Sequence, residues 1–71
     1  MTPETVRRLL ALVARRTAVD AEAFSVARAP DGRWLLGLDS VSWLAEDVHD
    51  NVCEAGAGLV AAWLLRSARE S

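Results

Sequence analysis

The 71-residue chain contains no lysine, isoleucine, glutamine or tyrosine, and it has one cysteine, one histidine and one methionine. Each scarcity excludes something. A lone Cys53 cannot close an intrachain disulfide, so the fold is expected to need no oxidising compartment. No long hydrophobic run is present either. The stretch RRLLALVA is closed by Arg15 and Arg16 with no cleavage site after it, so it is not a signal peptide. The stretch AGAGLVAAWLL falls short of the roughly 20 residues that a membrane span needs. No membrane partner is expected, and the cytoplasm is the expected location. The absence of lysine, with Ala, Val, Leu, Arg and Gly dominating, points to a GC-rich coding sequence, as in a high-GC bacterium, its phages or its mobile elements.

The residues that are present describe a folded chain. Hydrophobic residues make up 52% and charged residues 25%, the balance of a globular domain and not of a disordered tail. The length predicts a single domain over residues 1–71, near the lower size at which one core suffices. Starting at Met and ending without a tag, it reads as a complete small gene product. The net charge of −2 is unevenly placed. Residues 1–38 carry six arginines against four acids, a balance of +2, whereas residues 39–71 carry two arginines against six acids, a balance of −4. Such asymmetry points to charged partners or to two halves that dock on each other.

Local patterning predicts an α+β fold. Thr2-Pro3-Glu4 is a helix start: a hydroxyl cap, proline at the first position and an acid in the first turn. Val6, Leu9, Leu10, Leu12 and Val13 then share a face up to about Arg16 or Thr17, with Arg7, Arg8 and Arg15 opposite. Glu4 stands four residues before Arg8, the favourable order for an ion pair. Phe24–Arg28 and Arg33–Leu38 alternate as strands around Ala29-Pro30-Asp31-Gly32, which suits a type I turn followed by a bulge. Asp39 or Ser40 is placed to cap a further helix with Val41, Leu44, Val48, Val52 and Ala55 as its core stripe. Gly56 and Gly58 each cost about 1 kcal/mol inside a helix, so a break or kink is expected there, before a last helix from about Gly58 to Arg69. Leu59, Ala62 and Trp63 keep the phase of the earlier stripe, which leaves one long unbroken helix, and with it a dimer, as the alternative. The predicted order is helix, β-hairpin, helix, kinked helix. A wide apolar surface at Leu59, Val60, Trp63 and Leu64 predicts a homodimer that buries part of the last helix.

Residues 42–56, SWLAEDVHDNVCEAG, gather four carboxylates, a tryptophan, the histidine and the cysteine. Glu46 and His49 form E-x-x-H with Cys53 four residues on, a spacing that can reach one ion in helical bundles. Such sites draw ligands from several helices, and this chain has no second histidine, so no metal and no cofactor are expected. His49 and Cys53 could also meet as base and thiol. The surrounding Glu46, Asp50 and Glu54 favour the protonated thiol, and nothing resembling an oxyanion hole follows, so no enzyme is expected.

The acids have a different use. On the expected helix Glu46, Asp50 and Glu54 repel at i, i+4, which stability alone does not explain. A cationic partner would turn that repulsion into attraction, with Trp43 as the apolar anchor. The expected binding set is therefore Trp43, Glu46, Asp47, Asp50 and Glu54, facing a basic protein partner, including one from a nucleic-acid-binding complex. Its most concrete form is a small acidic inhibitor from a phage or mobile element, anti-CRISPR-like, that occupies a surface built for DNA or RNA. The competing reading has the acids neutralised by arginines of the first helix or hairpin, or Trp43 packed beneath the hairpin. A functional alternative uses Arg7, Arg8 and Arg15, joined by Arg28 and Arg33, to follow a nucleic-acid backbone, against which a pI of 5.2 weighs.

Overall fold

A computed structural model of the chain describes residues 1–70. The order of elements is α1 (Pro3–Thr17), a single 3-10 turn (Ala21–Ala23), β1 (Phe24–Arg28), β2 (Trp34–Leu38), β3 (Val41–Ala45) and α2 (His49–Glu70). The three strands form an antiparallel sheet with β2 in the middle, and both helices lie on one face of it. The chain is an α+β fold, as the patterning predicts.

The first helix begins where its sequence says. The Thr2 hydroxyl accepts from the Thr5 N–H at 3.2 Å, and Pro3 opens the first turn. The helix ends at Ala18, which takes a left-handed φ of 59° and donates its N–H to the Ala14 carbonyl. Glu4 and Arg8 make no ion pair among the described residues. Leu12, expected in the core, is 51% exposed, because α1 turns only Val6, Leu10 and Ala14 fully inward.

The hairpin also forms as its turn residues dictate. Gly32 sits at φ +91°, its N–H bonds the Ala29 carbonyl at 3.0 Å, and Ala29 bonds back to Arg33 at 2.8 Å. Only glycine adopts that conformation at no steric cost. Cross-strand partners share a face, so Trp34, Leu36 and Leu38 of β2 point with Phe24 and Val26 of β1 toward the helices. The core consists of these side chains with Val6 and Leu10 from α1 and Val52, Leu59 and Val60 from α2. Leu59 and Val60, expected on an outward apolar surface, are buried within the single chain because α2 turns them toward the sheet and α1. The opposite face of the sheet, with Ser25, Ala27, Leu35, Ser42 and Leu44, is exposed.

Two expectations are corrected. Residues 41–45 form a third strand in place of the first turns of a helix. Val41, Trp43 and Ala45 pair with Leu38, Leu36 and Trp34, so the segment alternates with a period of two. Asp39 takes φ +56° and turns the chain back after β2 instead of capping a helix; aspartate tolerates that conformation better than most residues. The second correction concerns the glycines. Helix α2 runs unbroken through Gly56 and Gly58 for 22 residues, about 33 Å at the usual rise. Both glycines are packing surfaces. A Cβ on Gly56 would stand 2.8 Å from Leu10 Cδ2, and one on Gly58 would stand 3.0 Å from the Trp43 ring. Contact with α1 on one side and β3 on the other offsets the intrinsic cost of glycine in a helix.

Leucine is a far better helix former than glycine, yet Gly56→Leu is expected to destabilise the protein by about 1–3 kcal/mol through overpacking against Leu10. Urea unfolding followed by circular dichroism measures it; a gain in stability would show that the two helices are not in close contact there.

Candidate partner-binding surface

The acids of residues 46–54 do not share a helix face. Glu46 and Asp47 lie in the connection between β3 and α2, and only Asp50 and Glu54 stand on the helix. Trp43 belongs to β3. The i, i+4 repulsion expected between Glu46 and Asp50 is therefore absent, and that between Asp50 and Glu54 is on the helix as expected. Asp50 is in the first turn of α2, where a negative charge is favoured by the helix dipole.

Asp47 has internal partners. Its carboxylate accepts from the Trp34 indole N–H at 2.8 Å and from the Met1 amine at 3.2 Å, and Arg28 stands at 3.6 Å. The Arg28 guanidinium also lies 4.3 Å above the centre of the Trp34 ring and donates to the Met1 carbonyl. This cluster closes one end of the core. It is the internal neutralisation of an acid by a hairpin arginine that the sequence left as a competing reading, and it applies to Asp47 alone. Glu46 is near enough to Arg33 to favour its charge, although the direct partner of Arg33 is Asp31 at 2.7 Å.

Trp43, Asp50 and Glu54 remain outward. The Trp43 ring rests on Gly58 with 48% of its surface exposed. Beside it Leu44, Ala45, Asn51, Glu54 and Ala55 line a cleft of about 140 Å³ along the seam of β3 and α2. This joins an aromatic ring to a carboxylate, an arrangement suited to the guanidinium or ammonium of another molecule. The outer edge of β3 has no neighbouring strand among the described residues and so offers backbone donors and acceptors.

The other candidates separate. Glu46 is off the helix that carries His49 and Cys53, so the E-x-x-H spacing does not stack on successive turns. No group of three or more His, Cys, Asp or Glu side chains comes together among the described residues. Cys53 is half-buried and His49 exposed, four residues apart on α2. Arg7, Arg8 and Arg15 are exposed on α1 and make no ion pair among the described residues. Arg28 and Arg33 are taken by Asp47 and Asp31. Among the described residues no helix is long and apolar enough to cross a membrane.

Sequence reasoning did not find the Asp47 cluster. A signal was present: a core tryptophan needs an acceptor for its N–H, and an acid lies just beyond the strand that pairs with it. The carboxyl of Asp47 is held below its ordinary 3.8, first by the Trp34 hydrogen bond, then by the Met1 amine and last by Arg28, against an opposing effect of burial. A lowered native value means that Asp47 adds stability above the unfolded value, and that this contribution is lost as the pH falls through the native one. Asp47→Asn keeps an acceptor for Trp34 and removes the charge. It is expected to lower the urea midpoint at neutral pH, and the two proteins should converge as the pH falls below the lowered native value and the carboxyl is protonated in both states. A difference that persists unchanged in acid would assign the loss to shape instead of charge.

Comparison with protein-family models, with curated proteins and with solved structures finds no match to this chain.

Proposed function

We propose that the chain is a small non-enzymatic binding protein that presents Trp43 and the neighbouring acids Glu46, Asp50 and Glu54 to an arginine- or lysine-rich protein surface. The observation that carries this reading is the position of Trp43, half-exposed on Gly58 beside Glu54 and on an unpaired sheet edge. Tryptophan is the residue type most enriched at the energetic centres of interfaces, and the acids supply long-range attraction. Asp47 is not part of the surface, because Arg28, Trp34 and Met1 hold it.

The remaining carboxylates fit a patch-sized contact better than the imitation of a long run of phosphates. A basic groove that otherwise holds DNA or RNA is one such contact, and an antagonist of nucleic-acid machinery carried by a phage or mobile element is the concrete form of this reading. A second reading rests on Arg7, Arg8 and Arg15, which are outward and unpaired among the described residues, and assigns the chain to nucleic acid directly.

An oligoarginine peptide and a short single-stranded DNA separate the two readings. The peptide should bind, with affinity that falls between about 50 and 200 mM salt. Glu46→Gln with Asp50→Asn should slow its association, and Trp43→Ala should speed its dissociation with little change in salt dependence. The paired neutralisation should leave the stability nearly unchanged, because Asp50 loses a favourable place at the start of α2 while its repulsion from Glu54 is relieved. DNA binding that is lost on replacing Arg7, Arg8 and Arg15, with no peptide binding, would overturn the proposal in favour of the second reading.

A further inference from the structure

The outward face of α2 has an order along its axis. Asp50 and Glu54 are exposed in its first two turns, Ala57 and Ala61 in its middle, Leu64 and Leu65 after them, and Arg69 in its last turn. At 3.6 residues per turn these positions lie opposite the buried Val52, Ala55 and Leu59. Leu64 is 54% exposed and Leu65 62%, and no side chain from Ala55 to Leu65 carries a charge. Next to this face α1 contributes Leu12, also half-exposed, and a groove of about 360 Å³ lies between the helices, lined by Leu12, Val13, Arg16, Thr17, Cys53 and Ala57.

Read from the N-terminal end, the face is acidic, then small, then large, then basic. Reversed and laid upon itself, it places acid against base and small against large. We propose that this face is the interface between two copies of the chain, with their α2 helices antiparallel about a twofold axis near Ala61. Facing positions are then equally distant from Ala61 in opposite directions. Leu64 and Leu65 of one copy come level with Gly58 and Ala57 of the other, and Leu64, on the flank nearer α1, enters the groove between Leu12 and Ala57. Arg69 arrives level with Cys53 of the other copy, within reach of the adjacent Glu54, and symmetry repeats the contact at the far end.

Charge decides the occupant and its direction. Parallel helices would bring Asp50 and Glu54 onto their own counterparts and leucine onto leucine, with nothing entering the groove. A basic ligand would answer the acids and leave the leucines and Arg69 uncovered. Ridges of residues four apart, here Cys53, Ala57, Ala61, Leu65 and Arg69, are the usual means by which helices interlock, and the two alanines permit close approach. The twofold contact takes Glu54 out of the partner-facing set proposed above and leaves Trp43, Glu46 and Asp50 to another partner; it does not rest on that reading.

The test is a reciprocal charge swap followed by light scattering. The wild type should have the mass of a dimer at a concentration on the order of tens of micromolar. Glu54→Arg and Arg69→Glu should each raise the dissociation constant at least tenfold, because each homodimer then carries two like-charge contacts. An equimolar mixture of the two variants should recover the dimer, since every Glu54–Arg69 contact in the mixed pair is again between opposite charges. Circular dichroism checks that the exposed substitutions leave the fold in place. Should either charged variant unfold, Leu64→Ser supplies an uncharged test and should weaken the dimer to the same degree. Trp43→Ala should leave the mass unchanged, which separates this interface from the Trp43 surface. A monomeric wild type, single variants that dimerise as before, or a mixture that stays monomeric would each overturn the proposal.

Discussion

One polar atom sits at the edge of an otherwise apolar core, the indole nitrogen of Trp34. The ring is buried to 2% exposure in the middle strand, and an indole N–H left without an acceptor there would cost on the order of 1–3 kcal/mol. Asp47 meets it at 2.8 Å. That bond ties the corner between β3 and α2 to the centre of the sheet, and Arg28 and Met1 fasten onto the same carboxylate from the other side. The turn at Asp39-Ser40 sets the register of β3, and the Asp47 bond holds the corner that follows it, from which α2 starts. No buried side-chain nitrogen or oxygen lacks a hydrogen-bond partner among the described residues.

With its start fixed, α2 can lie flat only because it is narrow where it crosses its neighbours. Leu10 and Val13 of α1 approach Gly56, and the Trp43 ring approaches Gly58. A 71-residue chain has little apolar area to bury, so close contact along one long helix does much of what a larger core would do. The same economy leaves surfaces uncovered. Among the described residues the outer face of the sheet has no helix on it, the edge of β3 has no neighbouring strand, and the far side of α2 shows Leu64 and Leu65.

Two of these uncovered surfaces differ in chemistry and meet at Glu54. The seam at Trp43 combines an aromatic ring, a carboxylate and free backbone groups, which suits a cationic partner. The face of α2 around Ala61 is uncharged at its centre and oppositely charged at its ends, which suits a second copy of itself. Asp47 belongs to neither, although its position in the sequence places it among the acids of the first surface.

The first helix, the hairpin and the α+β class were legible because each is set by near neighbours. Thr2-Pro3 caps a helix wherever it occurs before an amphipathic run, and Gly32 makes the bulge whatever lies around it. Residues 39–45 were not legible, because Val41, Leu44 and Val48 fit a helical spacing while Val41, Trp43 and Ala45 fit a strand. The free edge of β2 chose between them: its backbone groups needed a partner that only tertiary structure could supply. The glycines were misread for a related reason, since propensity counts their local cost and not the Leu10 and Trp43 contacts they permit. Which residues are acidic, apolar or turn-forming is written in the chain alone. Tertiary structure alone decided that Asp47 would answer Trp34, that Trp43 would lie half-exposed on Gly58, and which acids would remain for other molecules, because each depends on residues distant in the chain.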